Sequence, residues 1–460
     1  MSKPREHWSS TFGFLMAAAG SAIGLGTLWK FPYVTGENGG GAFFLVYVLC
    51  TLFIGVPVFI AELILGRYAQ KGAVGTFSAI AGHATPWKIA GWLGVISSFL
   101  IMSFYSVIAG WGLNYAMMSL NQFYIGKTPD EIEGMFTVLV KSGDISLFWH
   151  FIFMAITVGV VYPGIRNGIE YWAKWMTSLL LCIVVALFCF NISLDGFSEA
   201  ASFLLKPDFS ALKPSGILTA LGLSFFTLSL GQGIMITYGS YMNHKDDIPK
   251  MSLIIAAMIL LVSLLCAFSI FPIIFTFGRE PQAGYGLVFQ TLPLLFSKLP
   301  GALLLSTIFF MLFVFTALTS SVALVEVVVA TCMDLHGWTR KKAALIVGLG
   351  IFIFGIPSAL SGSDIIFSNW QELYGKTFFK TVDDLVSVWI LPLAGLLTAV
   401  FIGWKFDKEI CKKEFFSETS FGWLFRPWLF FVKWVAPVAI ILIIGQQAEL
   451  FNVDALIFWN

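Results

Sequence analysis

Two short runs, each set inside an otherwise apolar segment, carry the groups that could do chemistry. Gly20-Ser21-Ala22-Ile23-Gly24-Leu25-Gly26 interrupts the segment from Phe12 to Tyr33, and Ser229-Leu230-Gly231-Gln232-Gly233 interrupts the one from Ile217 to Tyr241. Glycine and serine weaken a helix, and in hydrocarbon the freed backbone groups must be buried in protein or line a polar cavity. A broken helix exposes N–H groups where one half starts and carbonyls where the other ends, so it sets an anion site beside cation sites. A zwitterion fits that arrangement. The amides of Leu25 and Gly26 would face its carboxylate, and the carbonyls of Ala22, Phe226 and Thr227, with the Ser229 hydroxyl, its ammonium. In a third apolar segment Thr319-Ser320 supplies two adjacent hydroxyls. They suit a hard cation that wants several oxygens, or they bond back to their own helix.

The elements that must hold these groups are membrane helices. The 460 residues are 58% hydrophobic and 12% charged, with mean hydropathy +0.86, too apolar for a water-wetted surface. Eleven segments are long enough to cross a bilayer, centred near residues 22, 53, 103, 155, 181, 229, 264, 315, 351, 393 and 437. The two interrupted ones open corresponding halves of the chain, the pattern of a secondary transporter whose substrate sits at mid-membrane. Basic residues set the orientation. Lys3, Arg5, Arg67, Lys71, Lys88, Arg166, Lys174, Lys245, Lys250, Arg340, Lys341, Lys342, Lys405, Lys408, Lys412, Lys413 and Arg426 fall on one side. The other side holds only Lys127, Lys141, Lys206, Lys213, Arg279, Lys298, Lys376 and Lys380. This places the N-terminus in the cytoplasm and, after eleven crossings, the C-terminus outside.

Several classes are excluded. The five histidines (His7, His83, His150, His244, His336) have no metal-binding spacing, and there is no GxSxG elbow, so an enzyme is not expected. A net charge of +1 gives no reason to expect nucleic acid. No pore-loop filter suggests a channel. The six cysteines fall in apolar segments or on the cytoplasmic side, which implies no disulfide framework. The first apolar segment is too long for a signal-peptide core and lacks a cleavage site, and no linker marks a second domain.

Arg5-Glu6-His7-Trp8, the Gly20–Gly26 run, Phe31-Pro32-Tyr33, Glu37 to Phe43, Pro57 to Glu62, Gly66-Arg67-Tyr68, Phe226 to Gly231 and Leu318-Thr319-Ser320-Ser321 resemble the neurotransmitter:sodium symporter family, in particular its bacterial amino-acid transporters. The resemblance runs over the whole chain. It implies a single all-α polytopic transporter domain over 1–460, with two inverted five-helix repeats over 8–192 and 215–404 and an eleventh helix over 426–446. Helices 1 and 6 are the broken ones. It places Ala22, Gly24, Leu25, Gly26, Phe226, Thr227 and Ser229 in the substrate site and adds Tyr105 as a carboxylate donor. Ile101, Phe226, Gln232 and Leu324 would line the side-chain pocket. Glycine at position 24, where monoamine carriers have aspartate, favours an amino acid. Gln232 either makes a polar contact in the pocket or bonds backbone groups of the helix break.

The same resemblance maps the family's second sodium site onto Gly20, Ile23, Thr316, Thr319 and Ser320. The first site would use Ala22, Thr27 and Thr227. There Thr27 replaces the usual asparagine and Ile259 stands where helix 7 usually offers an amide or carboxylate, so this site is expected to be weak or absent. Chloride is doubtful: Tyr47, Thr227 and Ser263 match its ligands, but Leu223 replaces the glutamine, and Ser263 is not the carboxylate of chloride-independent relatives. Lys30 with Asp383 would form the outer gate, with Asp384 as a competing partner and interfacial snorkelling as the blander reading. Arg5 with Asp334, and Trp8 as a plug, would form the inner gate. Glu62 would bond the freed amides of broken helix 1, and Glu326 would serve polar backbone without a transport role. On helix 5 Gly168 is present, but Thr177 stands where relatives that unwind this helix carry proline.

The expected function is sodium-coupled symport of a neutral amino acid into the cell by alternating access, driven mainly through the Thr319/Ser320 site. The alternative is an amino-acid-binding facilitator or sensor that has lost sodium coupling. The expected location is a bacterial inner (plasma) membrane, among membrane lipid, with a homodimer left open.

Overall fold

The computed structural model describes residues 5–279, 284–363, 365–367, 369–450 and 453–456; Lys3 of the N-terminal tail lies outside them. Nine helices are long and apolar enough to cross a membrane among the described residues: α2 (Gly41–Ala69), α3 (Lys88–Leu120), α4 (Gly143–Val161), α5 (Ile165–Asn191), α7 (Ile248–Thr276), α8 (Ala302–His336), α9 (Arg340–Leu360), α10 (Phe378–Lys405) and α11 (Gly422–Gln447). Two further spans are broken. The first is α1a (Thr11–Ala22) followed by α1b (Gly26–Glu37), bent by 51°. The second is α6a (Pro214–Thr227) followed by α6b (Ile234–Gly239). The eleven sequence segments are therefore all helical, and both breaks fall in the glycine–serine runs.

Local chemistry fixes the ends. The Ser10 side chain accepts from the Gly13 N–H to start α1a, Asp247 accepts from Lys250 N–H to start α7, and Pro214 opens α6a where its missing N–H costs nothing. Glycines in the left-handed region, Gly301 and Gly337, bracket α8. The most apolar stretch of α8 is 83% buried inside the protein and that of α3 78%, against 33% for α5. So α3 and α8 form the scaffold, while α5 turns much of its surface to lipid. α8 packs on α3 and on α1a, and α6b lies against α2, which brings both breaks to the centre of the bundle.

Candidate functional site

At the end of α1a the carbonyls of its last turn lose their intrahelical partners. Ile23 N–H returns to the Ala19 carbonyl at 2.7 Å, and the Thr27 hydroxyl donates to the Ala22 carbonyl at 3.3 Å. The Ser21 carbonyl becomes a meeting point: the Ser229 hydroxyl from the α6 break donates to it at 3.2 Å and the Ser320 hydroxyl from α8 at 2.8 Å. At the start of α1b the Leu25 N–H donates to the Tyr105 oxygen of α3 at 3.1 Å. Gly24 lies between these contacts, because a Cβ there would stand 2.6 Å from the Ser320 Oγ and 3.3 Å from the Tyr105 oxygen.

The α6 break is held from two sides. Ser97 and Ser98 of α3 donate to the carbonyls of Gly231 (3.3 Å) and Gln232 (2.6 Å). Glu62 of α2 accepts the Gly231 N–H at 2.9 Å. This corrects the sequence expectation, which assigned Glu62 to helix 1: α6b packs directly on α2, so the carboxylate meets the α6 break. Gln232 is buried and its carbonyl is tied to α3; Ile101, Tyr105 and Leu324 are buried as well.

Of the residues expected for the second sodium site, Thr319 lies against Gly20 and Ser320 reaches the α1 break. Thr316, Thr319 and Ser320 are buried on α8. A Cβ on Gly20 would lie 3.3 Å from the Thr319 side chain, and Ser320 reaches the break itself. Thr319 also bonds back to the Phe315 and Thr316 carbonyls, both at 3.1 Å, the alternative expected of a hydroxyl within a helix. At the expected first sodium site Thr27 and Ile259 are fully buried, and Ile259 offers only carbon. At the expected chloride position Tyr47 and Thr227 share a 2.8 Å bond, Ser263 donates to its own helix at the Ile259 carbonyl (2.8 Å), and Leu223 is buried beside them.

At the end that carries Arg5 the expected Arg5–Asp334 pair is formed. Arg5 grips both oxygens of Asp334 at 2.9 Å, bonds the Ser240 hydroxyl at 2.8 and 3.1 Å, and lies over the Tyr241 ring. Trp8 is buried, donates to the Tyr238 carbonyl at 3.1 Å and packs edge-on against Tyr238 and Tyr241. Arg5→Ala is expected to raise several-fold the maleimide labelling of a cysteine placed at Ser9. Unchanged labelling over the native-cysteine background would show that the segment is held without this pair.

At the opposite end the expected Lys30–Asp383 pair is not made. Lys380 lies one turn away on the same helix and takes Asp383 (3.0 Å) and Asp384 (2.7 Å), with Lys376 also on Asp384 at 2.7 Å. The Lys30 ammonium instead rests 4.9 Å over the ring of Phe226. The end that carries Arg5 is thus bridged by an ion pair, while Lys30 and Asp383 at the opposite end are apart.

Sequence reasoning missed several partners. Glu326 takes a bidentate Arg340 (2.7 and 2.8 Å) and the Tyr241 hydroxyl (2.5 Å), so it serves side chains rather than backbone. Glu170 of α5 accepts from Ser9 N–H (2.7 Å) and from the hydroxyls of Ser9 and Ser10, and Thr177 donates to the Met16 carbonyl at 3.0 Å. The signals available were acids placed within apolar segments. In Ser97-Ser98 the signal was an adjacent polar pair.

The sodium:neurotransmitter symporter family model matches residues 5–128 and 130–456. The chain is 40% identical to an uncharacterized sodium-dependent transporter of Bacillus subtilis, YhdH, over 95% of this chain and 96% of that protein. It is 32% identical to an uncharacterized sodium-dependent transporter of Haemophilus influenzae over 96% of this chain and 98% of that protein. The crystal structure of MhsT in complex with L-phenylalanine superposes with a TM-score of 0.88 at 38% identity, covering 96% of this chain and 100% of that one. These proteins are transporters, not enzymes. With nearly the whole length matched, the chain belongs to the sodium:neurotransmitter symporter family.

Proposed function

We propose that this chain carries a neutral amino acid into a bacterial cell together with sodium by alternating access, coupling mainly through the site at Thr319 and Ser320. The observation that carries this reading is the convergence of the Ser229 and Ser320 hydroxyls on the Ser21 carbonyl, beside the Leu25 amide and Tyr105. Substrate and sodium would share the α1 break, so each stabilises the arrangement the other needs. Gly24 leaves no carboxylate in the pocket to pair with an amine, and the substrate must bring its own. The L-phenylalanine bound in MhsT supports an amino acid as that substrate. Sodium is cargo here. Its ligands would be the neutral oxygens of Gly20, Ile23, Thr316, Thr319 and Ser320, which hold a monovalent cation weakly enough to release it.

In this reading the repeats over 8–192 and 215–404 supply the moving and static parts. Helices 1, 2, 6 and 7 rock against the rest. Arg5, Asp334 and Trp8 close the inner end, and Lys30 and Asp383 approach when the outer end shuts. The N-terminus lies in the cytoplasm and the C-terminus outside. Uptake of an amino acid into proteoliposomes, measured against external sodium, is expected to give a Hill coefficient of about one. A coefficient of about two would contradict the loss of the first site at Thr27 and Ile259. Those same two residues favour the second reading, a facilitator or sensor, in which substrate binds equally well without sodium.

A further inference from the structure

The strongest feature outside the central site is a groove at the end of the bundle that carries Arg5 and Asp334. It lies between the amphipathic helix Lys408–Phe415, which follows α10, and the first turns of α11, and encloses about 660 Å³. Four cations line it. Lys408 and Lys412 are one turn apart on the short helix, and Arg426 and Lys433 are two turns apart on α11, so each pair shares a face. None of the four makes an ion pair among the described residues, and Glu409 is the single acid in the lining. Nearby Glu414 is already committed to Arg67 at 2.7 Å.

The walls are aromatic and reach the surface. The Lys433 ammonium lies beside an edge-on pair of indoles, 5.5 Å from the Trp404 ring and 5.6 Å from the Trp434 ring, and Lys412 lies over Phe416. Trp423 is 72% exposed at the mouth. From there Phe430, Trp434, Val438 and Ile441 form one exposed apolar stripe running along α11 away from the cations, at spacings of four, four and three residues. A basic cup continuous with an apolar track on a membrane helix matches one chemistry, a phosphate ester joined to acyl chains.

We propose that this groove binds an anionic phospholipid of the inner leaflet, its phosphate held by Lys408, Lys412, Arg426 and Lys433 and one acyl chain lying along the α11 stripe. The assignment to the inner leaflet rests on the orientation argued from the basic loops. The unpaired cations set headgroup selectivity, the tryptophans fix depth at the interface, and the stripe excludes soluble phosphates that lack a tail.

The intact purified protein, in neutral detergent and mixed with equal amounts of phosphatidylglycerol and phosphatidylcholine, tests this by native mass spectrometry. Phosphatidylglycerol is expected to be retained at least about tenfold more, since each cation near the surface favours anionic lipid. The variant K412Q/R426Q/K433Q is expected to retain both lipids about equally. A control, K245Q/K250Q, changes two charges, one in the α6b–α7 loop and one in the first turn of α7, and keeps the preference. Equal retention of both lipids by the unaltered protein would overturn the proposal even if the triple variant failed to fold. So would a preference kept by the folded triple variant, or displacement of the lipid by millimolar inorganic phosphate. Sodium-driven uptake by the same preparation is a separate readout, so failure here is distinguishable from failure of the transport reading.

Discussion

Thr319→Ala combined with Ser320→Ala is expected to reduce sodium-driven amino-acid uptake by about 100-fold or more, because hydrogen-bonding groups that face a charge contribute about 1.5–3 kcal/mol each and every ~1.4 kcal/mol is tenfold. The two hydroxyls act differently. Ser320 ties α8 to the Ser21 carbonyl at 2.8 Å, while Thr319 faces the last turn of α1a near Gly20. Removing both leaves the break without side-chain oxygens from α8 but adds no bulk and no strain. The protein should therefore lose its sodium response while remaining folded, at the cost of the one Ser320–Ser21 bond. Uptake that persists at near-normal rate would move the coupling cation elsewhere and sink the assignment of this site. The single Ser320→Ala is the more informative half, since it also frees the carbonyl that holds α1, α6 and α8 together.

Gly231→Ala is expected to yield little or no correctly folded protein. Two costs act at that position. The backbone angle φ is +72°, which costs an L-residue about 1–2 kcal/mol, and a Cβ would stand 2.5 Å from the Leu391 carbonyl oxygen of α10, where overpacking costs about 1–3 kcal/mol more. The same shift would pull the Gly231 N–H from Glu62 and its carbonyl from Ser97. Gly222→Ala, on the preceding half of the same broken span, is the matched control. A Cβ there meets nothing within 4 Å, so expression and thermal stability should be unchanged. Size-exclusion profiles of the two variants side by side check the expectation; a monodisperse, ligand-responsive Gly231→Ala protein would show that the α6 break is not rigidly specified.

The fold and the position of both breaks were legible because they follow from solvent chemistry. Hydrocarbon demands helices, and a Gly-Ser run in hydrocarbon demands a protein-lined gap. The inner pair Arg5–Asp334 was legible on resemblance, and its arginine grips both carboxylate oxygens. What failed were pairings that depend on which of two near neighbours lies closer. Asp383 went to Lys380, three residues away on its own helix, rather than to Lys30 on another. Glu62 went to the α6 break rather than the α1 break, a choice made by how α6b packs on α2 and invisible in either segment alone. The roles of Ser97 and Ser98 were missed for a related reason, because a hydroxyl within a helix usually bonds its own backbone and only tertiary contact reveals the exception.

The most direct test of the central claim is thermal stabilisation of the purified protein by each of the twenty amino acids, in sodium and in potassium. Stabilisation by a neutral amino acid that requires sodium, and that disappears in the Thr319→Ala/Ser320→Ala variant, is the expected result. Equal stabilisation in both salts would contradict sodium coupling through this site and leave the chain as a facilitator or sensor.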